Sequence, residues 1–325
     1  MTDTTYRKAV IQALADELAA DETVFLIGED IAAAGGVFKT TEALVDRFGA
    51  KRVLDTPISE QAIIGTAIGA AASGLRPVAE IMFADFAGVC FDQIANQLAK
   101  YRYMTNGQVN LPVTIRLING AGSGFGAQHS QAVENWFLNV AGLKICVPAT
   151  PADAYGLLRA AIRDPDPVLV FEHKGLLGIQ GPLSENGGAP DIGVAEIIRP
   201  GRDATVVVTQ LMRQRTLDAA DALASDGVEL EVIDLRTLVP FDARTVGESV
   251  QRTSRLVCVQ ECQNFGSWGA SVAAHVLEQQ FDYLDGPPHL IGGDETPIPF
   301  AQNLEEAWIP SADRITTEIR RVLAE

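Results

Sequence analysis

The sequence predicts an α/β protein of two domains with mainly parallel sheets, and three observations carry that expectation. Helical and strand patterns alternate along the chain, as crossover connections between parallel strands require. Residues 178–203 interrupt the alternation with glycines and prolines, among them Gly178, Gly181, Pro182, Pro190, Gly193 and Pro200, a density of breakers that long regular elements do not tolerate. At 325 residues the chain exceeds one ordinary core, since a domain takes about 100–200 residues. The expected organisation is a first domain over 1–180, a linker over 181–203 and a second domain over 204–325.

The elements follow in order. Ala9, Val10, Ala13, Leu14 and Leu18 recur at helical spacing, and the apolar run Val24-Phe25-Leu26-Ile27 then predicts a strand before Gly28-Glu29-Asp30. A helix is expected after Pro57, with Ile63, Ile64, Ala67, Ile68 and Ala71 on one side and a stop near Gly74, followed by a strand from Val78 to Phe83. Phe91, Ile94, Ala95, Leu98 and Tyr101 predict a further amphipathic helix, and Val113 to Leu117 a strand. Thr150-Pro151-Ala152-Asp153 opens a helix with a capping pattern and proline at the first position, and Val168 to Phe171 closes this half. Beyond the linker, Thr205–Val208, Leu230–Ile233 and Leu256–Val259 are β-rich runs, separated by helical patterns such as Leu217, Ala220 and Leu223.

Composition narrows the function. Hydrophobic residues make up 47%, and no apolar run approaches the roughly 18 residues that span a bilayer. A formal charge of −17 disfavours nucleic acid and anionic membranes, because binding phosphates needs clustered Lys and Arg. Cys90, Cys146, Cys258 and Cys262 sit in largely apolar surroundings with no C-x-x-C pair, so buried thiols are expected rather than disulfides or zinc. The opening Met1-Thr2-Asp3-Thr4-Thr5 has no basic segment followed by an apolar stretch, which leads to a cytoplasmic expectation.

Three segments could carry chemistry. Asp55-Thr56-Pro57-Ile58-Ser59-Glu60-Gln61 lies at a strand-to-helix junction and puts Glu60 in the first helical turn, where helix-dipole stabilisation competes with catalysis as its reason. Glu80-Ile81-Met82-Phe83-Ala84-Asp85-Phe86 brings an aromatic to the C-terminal edge of the sheet, the edge at which α/β proteins bind ligands. Asn119 to Gln131 alternates glycines at Gly120, Gly122, Gly124 and Gly126 before Gln128-His129-Ser130, so the backbone can approach a ligand closely and an imidazole can exchange protons near neutral pH. The glycine spacing is G-x-G-x-G-x-G rather than the dinucleotide G-x-G-x-x-G, which disfavours an NAD-dependent oxidoreductase.

Together and in this order, the three segments resemble the β subunit of the thiamine-diphosphate-dependent decarboxylase component of 2-oxoacid dehydrogenase complexes. The resemblance spans essentially the whole chain and rests most on Gly28-Glu29-Asp30, Asp55 to Glu60, Gly74-Leu75-Arg76-Pro77, Ala127 to Gln131, Gly142-Leu143-Lys144 and Ala161-Ile162-Arg163-Asp164. Ala141 departs from the proline the family commonly places there. Asp85 to Met104 and Glu172-His173-Lys174 look most like the acetoin dehydrogenase branch.

The resemblance implies a transketolase-type pyrimidine-binding domain followed by a transketolase C-terminal-like domain. Glu60 would hydrogen-bond the aminopyrimidine of thiamine diphosphate and control its tautomer, Phe86 would stack on that ring, Met82 would line the pocket, and His129 would serve proton transfer or docking of the lipoyl acceptor. The expected reaction cleaves acetoin or a 2-oxoacid such as pyruvate and passes the acyl unit to a lipoyl group on an acyltransferase component. The family's magnesium-binding G-D-G motif with its later asparagine is missing, and Gly292-Gly293-Asp294 lies too near the C-terminus to replace it. Magnesium is therefore expected mainly on an α subunit, within an α₂β₂ heterotetramer. Similar proteins hold a potassium ion at positions matching Val113, Ala161, Ile162, Asp164 and Asp166, the last departing from the usual asparagine. The rival expectations are a transketolase-type carbon–carbon transferase subunit and a non-catalytic scaffold subunit.

Overall fold

The computed structural model describes residues 3–183 and 190–324, so residues 184–189 of the expected linker, with Gly187 and Gly188, lie outside the described residues. Strands and helices follow one another as β1 (Asp3–Thr5), α1 (Tyr6–Ala20), β2 (Val24–Gly28), α2 (Leu44–Phe48), β3 (Val53–Asp55), α3 (Glu60–Ala72), β4 (Arg76–Ile81), α4 (Ala99–Met104), β5 (Thr114–Asn119), β6 (Lys144–Cys146), α5 (Pro151–Arg163), β7 (Val168–His173) and β8 (Gln180–Pro182). The second half adds β9 (Glu196–Arg199), β10 (Ala204–Val208), α6 (Leu211–Ala224), β11 (Leu230–Asp234), β12 (Thr237–Val239), α7 (Ala243–Thr253), β13 (Leu256–Gln263), α8 (Trp268–Gln280), β14 (His289–Gly293), α9 (Gln302–Trp308) and α10 (Ala312–Ala324). Contacts divide the chain into a first unit, Met1–Asn119 with Trp136–Ile192, and a second unit, Gly120–Asn135 with Gly193–Glu325. The glycine loop, which the sequence reading put in the first domain, thus packs with the second unit.

In the first unit the strands run in the order β6-β7-β5-β4-β2-β3, every neighbouring pair parallel. The residues of β4, β5 and β7 are buried almost without exception, as strands covered on both faces require. Thr150 caps α5 by accepting the Asp153 N–H at 3.1 Å, and Pro151 occupies the first turn where its missing N–H costs nothing. Buried Glu17 on α1 accepts from Arg159 Nε at 2.7 Å and from Arg163 Nε at 2.9 Å, tying α1 to α5. The amphipathic stretch read as one α-helix through Phe91–Tyr101 is wound wider: Gln93–Leu98 is a π-helix, and regular α geometry resumes only at Ala99. Hydrophobic spacing selects which face is buried but does not distinguish these two windings.

In the second unit the sheet order is β14-β13-β10-β11-β9, parallel except for β9, which pairs antiparallel at the edge. Alternation along β10 sends Val206 and Val208 into a core with Met212 and Leu223 of α6 and Ile315 and Ile319 of α10, while the Thr205 hydroxyl lies 2.6 Å from those of Ser249 and Thr253 on α7. Ala121 of the glycine loop belongs to this core. All four cysteines are free and buried, as their surroundings predict. No helix among the described residues is long and apolar enough to cross a membrane.

Candidate active site

The parallel strands of the first unit end on a common edge, where α/β proteins gather ligands. Gly28 pairs with both Asp55 and Glu80, so Glu29-Asp30 after β2 and the turn after β4 leave the sheet side by side. Asp55 accepts the N–H groups of Ala32 and Ala33 at 2.6 and 3.1 Å and so fixes the loop beyond Glu29. Glu60 is the first residue of α3, and its side chain is 8% exposed. Ser59 makes no side-chain cap bond there, which leaves the negative Glu60 as the group that complements the helix N-terminus. Burial, then the charges of Glu60 and Asp30, raise the Glu29 carboxyl above its ordinary value, and Glu29 Oε1 is buried without a hydrogen-bond partner among the described residues. The Cys90 thiol is pushed up to about 12 by burial and then by the Glu60 charge, so it stays protonated and inert.

Beside these carboxylates, the turn Ala84–Gly88 presents an aromatic cluster. The Phe83 ring packs edge-to-face against Phe38 at 5.4 Å and Phe86 at 5.7 Å, with Lys174 Nζ 5.6 Å from its centroid. Phe83 is buried, whereas Met82 and Phe86 are half-buried, the placement expected of groups that line a pocket. The structure therefore brings Glu60, Met82 and Phe86 to one edge of one unit.

Sequence reasoning missed the charged network on these strands. Arg116 on β5 donates from Nε and Nη2 to both Glu172 oxygens, and from Nη1 to Glu80 on β4. Burial disfavours the guanidinium charge, but the two carboxylates outweigh it and hold the proton firmly; Glu80 is itself raised, mainly by burial. A charged residue within the apolar run Thr114 to Ile118 was the available signal, because an arginine in a doubly covered strand needs buried carboxylates.

The glycine loop is organised by carboxylates of its own unit. Gly120, Gly122, Gly124 and Gly126 all have positive φ, between 71° and 88°, which explains the residue type better than crowding does: a Cβ at Gly124 would meet nothing within 4 Å. The N–H groups of Gly122 and Gly124 turn to one side and form a concave anion site. Glu305 fills it, accepting from Gly122 and Gly124 at 2.9 Å each, and Glu261 accepts from Ala121 at 2.6 Å. The expected approach of this backbone to a ligand is thus, at these three amides, an approach to the chain's own carboxylates. His129 follows in a turn, its N–H directed to the Gly126 carbonyl at 3.4 Å, and is half-buried. Glu305 lies far away in sequence, and nothing local marks it.

Of the expected potassium positions, Ile162, Asp164 and Asp166 meet positive side chains. Arg76 Nη1 donates to the carbonyls of Ile162 at 2.5 Å and Asp164 at 3.1 Å, Lys144 Nζ donates to the Asp164 carboxylate at 2.6 and 2.8 Å, and Asp166 pairs with Arg102. The Val113 carbonyl accepts the Val168 N–H. The Ala161 carbonyl accepts the Asp164 N–H, so a monovalent ion would meet a guanidinium or an ammonium at Ile162, Asp164 and Asp166, and these three do not fit potassium as they stand.

Comparison with known proteins places these features. Residues 2–180 match the family described as transketolase, pyrimidine binding domain, and residues 193–315 that described as transketolase, C-terminal domain. The chain is 45% identical over 325 residues to the acetoin:2,6-dichlorophenolindophenol oxidoreductase subunit beta of Cupriavidus necator, covering 97% of this chain and 96% of that one. It is 42% identical over 318 residues to the pyruvate dehydrogenase E1 component subunit beta of Rickettsia felis, with 98% of each chain covered. It belongs to the family of acetoin and pyruvate dehydrogenase E1 β subunits. A rice relative, the mitochondrial pyruvate dehydrogenase E1 component subunit beta-2, is 43% identical over 98% of this chain and 85% of its own. Among solved structures, a split gene transketolase in an inactive beta4 tetramer superposes with a TM-score of 0.81 over 98% of both chains at 24% identity, which speaks to fold alone.

The two-domain transketolase-type α/β fold expected from the sequence is therefore the fold observed. The first-unit edge also suits the cofactor of a pyrimidine-binding domain: a carboxylate at a helix start, a braced aromatic ring, and a buried carboxylate oxygen with no donor among the described residues.

Proposed function

We propose that this chain is the β subunit of a thiamine-diphosphate-dependent dehydrogenase that cleaves acetoin or a 2-oxoacid such as pyruvate and transfers the acyl unit to a lipoyl group. It works with an α subunit in an α₂β₂ assembly, and an acyltransferase component carries the lipoyl group. The observation that supports this reading most is Glu60 opening α3 on the sheet edge that also carries Met82 and Phe86, within a pyrimidine-binding domain.

Thiamine diphosphate, when bound, supplies the nucleophilic carbon and the electron sink. Glu60 would hydrogen-bond the ring nitrogen of the aminopyrimidine and so set whether that nitrogen or the exocyclic one carries the proton. Phe86 offers a ring for that pyrimidine to stack on, held at its angle by Phe83. Met82 excludes water beside it. His129 holds or moves a proton at the reacting carbonyl or presents the lipoyl acceptor, a contribution of about 10²–10⁴ in rate for a positioned acid–base group. Magnesium and the diphosphate are held mainly by the α subunit, since this chain lacks the G-D-G motif.

The test is reconstitution. The purified chain alone is expected to show no turnover of acetoin or pyruvate, and to gain it with its α partner, thiamine diphosphate and magnesium. Full turnover without the partner would reject the two-subunit reading.

A further inference from the structure

We infer that Glu305 is a positioning residue for His129. The inference rests on the proposed catalytic role of His129 and adds to it the group that fixes the loop. Each of Glu305's two carboxylate oxygens accepts one loop N–H, Gly122 at 2.9 Å and Gly124 at 2.9 Å, and the side chain is 2% exposed. Both donors belong to residues with positive φ, and the two-point anchor on a single anion bridges them. Glu261 adds a third grip at Ala121, and the Gly120 N–H reaches the Gln131 carbonyl at 3.4 Å, closing the loop on the far side of His129. His129 thus sits within a loop whose N-terminal arm is clamped by negative oxygens. Glu305 is itself seated in α9, its N–H donating to the Ala301 carbonyl at 2.9 Å, with Trp308 and Ile309 of the same segment in the core of the second unit. Charge-assisted bonds to two amides are stronger and more directional than neutral ones, so the clamp specifies where the loop, and with it the imidazole, stands.

Glu305→Gln keeps the shape but removes the charge and turns one acceptor into a donor facing an N–H. In the assembled enzyme with its α subunit and thiamine diphosphate, E305Q is expected to lower kcat about 10- to 100-fold, within the range of acid–base catalysis, while cofactor Kd changes less than about threefold. The decisive comparison is the cycle of E305Q, H129A and the double variant. If Glu305 acts through His129, the double variant turns over within about threefold of H129A alone, because residues acting as a unit are not additive. Glu305→Asp, which keeps the charge, is expected to recover part of the E305Q loss, and it replaces E305Q in the cycle should that variant fail to assemble. Wild-type kcat in E305Q, or losses that multiply in the double variant, would overturn the positioning role while leaving His129 catalytic. Wild-type turnover in H129A would instead remove the catalytic reading of His129, and this proposal with it.

Discussion

Both oxygens of Glu172 accept hydrogen bonds from the guanidinium of Arg116, at 2.7 and 2.8 Å, and both side chains are 1% exposed. The pair joins β5 to β7 inside a parallel sheet, with Glu80 of β4 on the remaining guanidinium nitrogen. Removing the cation would leave two buried carboxylates unpaired. Arg116→Met is expected to destabilise the chain by about 3–5 kcal/mol, read by denaturant unfolding. A loss below about 1 kcal/mol would mean that water reaches these carboxylates.

Glu29 makes a pH-dependent contribution whose sign follows from its raised pKa. Its folded value lies above its unfolded one, so the stability it contributes is complete below the unfolded pKa and is lost as pH rises through the folded pKa. Glu29→Gln is therefore expected to melt higher than wild type at neutral pH, with the difference shrinking as pH falls through the carboxylate range. Melting curves of both proteins across pH 4–8 (about the range of carboxylate and neutral conditions) check this, and a constant offset would show that burial does not perturb Glu29.

Glu60→Gln should preserve the fold while slowing the reaction, because the amide occupies the same space but cannot control the aminopyrimidine tautomer. The expected drop in kcat is about 10²–10⁴, with an unchanged circular dichroism spectrum. Proton exchange at the reactive carbon of the bound cofactor, followed by NMR in the assembled enzyme, localises the defect. Unchanged exchange would return Glu60 to a helix-dipole role.

Phe86→Ala is expected to weaken cofactor binding by about 0.5–1.5 kcal/mol, the usual worth of an aromatic contact beyond its buried area. Titration of thiamine diphosphate into the assembled enzyme measures it. An unchanged Kd would leave Phe86 as a packing partner of Phe83 only.

The clamp of Arg76 and Lys144 on Ile162 and Asp164 predicts indifference to potassium. Exchange of potassium for choline at constant ionic strength should leave the melting temperature unchanged, whereas Arg76→Met should lower it by leaving carbonyls without their donor. A rise in melting temperature on adding potassium to the wild-type chain would show that the ion displaces the arginine.

The sequence by itself determined the α/β class, the buried strands β2, β4, β5, β7, β10, β11 and β13, and the place of Glu60 at a helix start, because these depend on periodicity and on local helix-start chemistry: apolar runs such as Val168 to Phe171 and the Ser59-Glu60 junction announce themselves within a few residues, whereas β6, β12 and β14 do not. It also marked Met82 and Phe86, since the end of a parallel strand is where a ligand edge must be. Only the tertiary structure decided that Gln93–Leu98 winds as a π-helix, that Arg116 answers to Glu80 and Glu172, and that the oxygens of Ile162 and Asp164 serve Arg76 and Lys144. The glycine loop shows the division most plainly. Its alternating glycines read as room for a ligand, whereas the structure gives them positive φ, and the anion that Gly122 and Gly124 cradle is Glu305, 181 positions beyond Gly124. Hydrogen bonds between groups so far apart leave no periodic trace, because folding, and not the order of residues, sets which buried donor meets which acceptor.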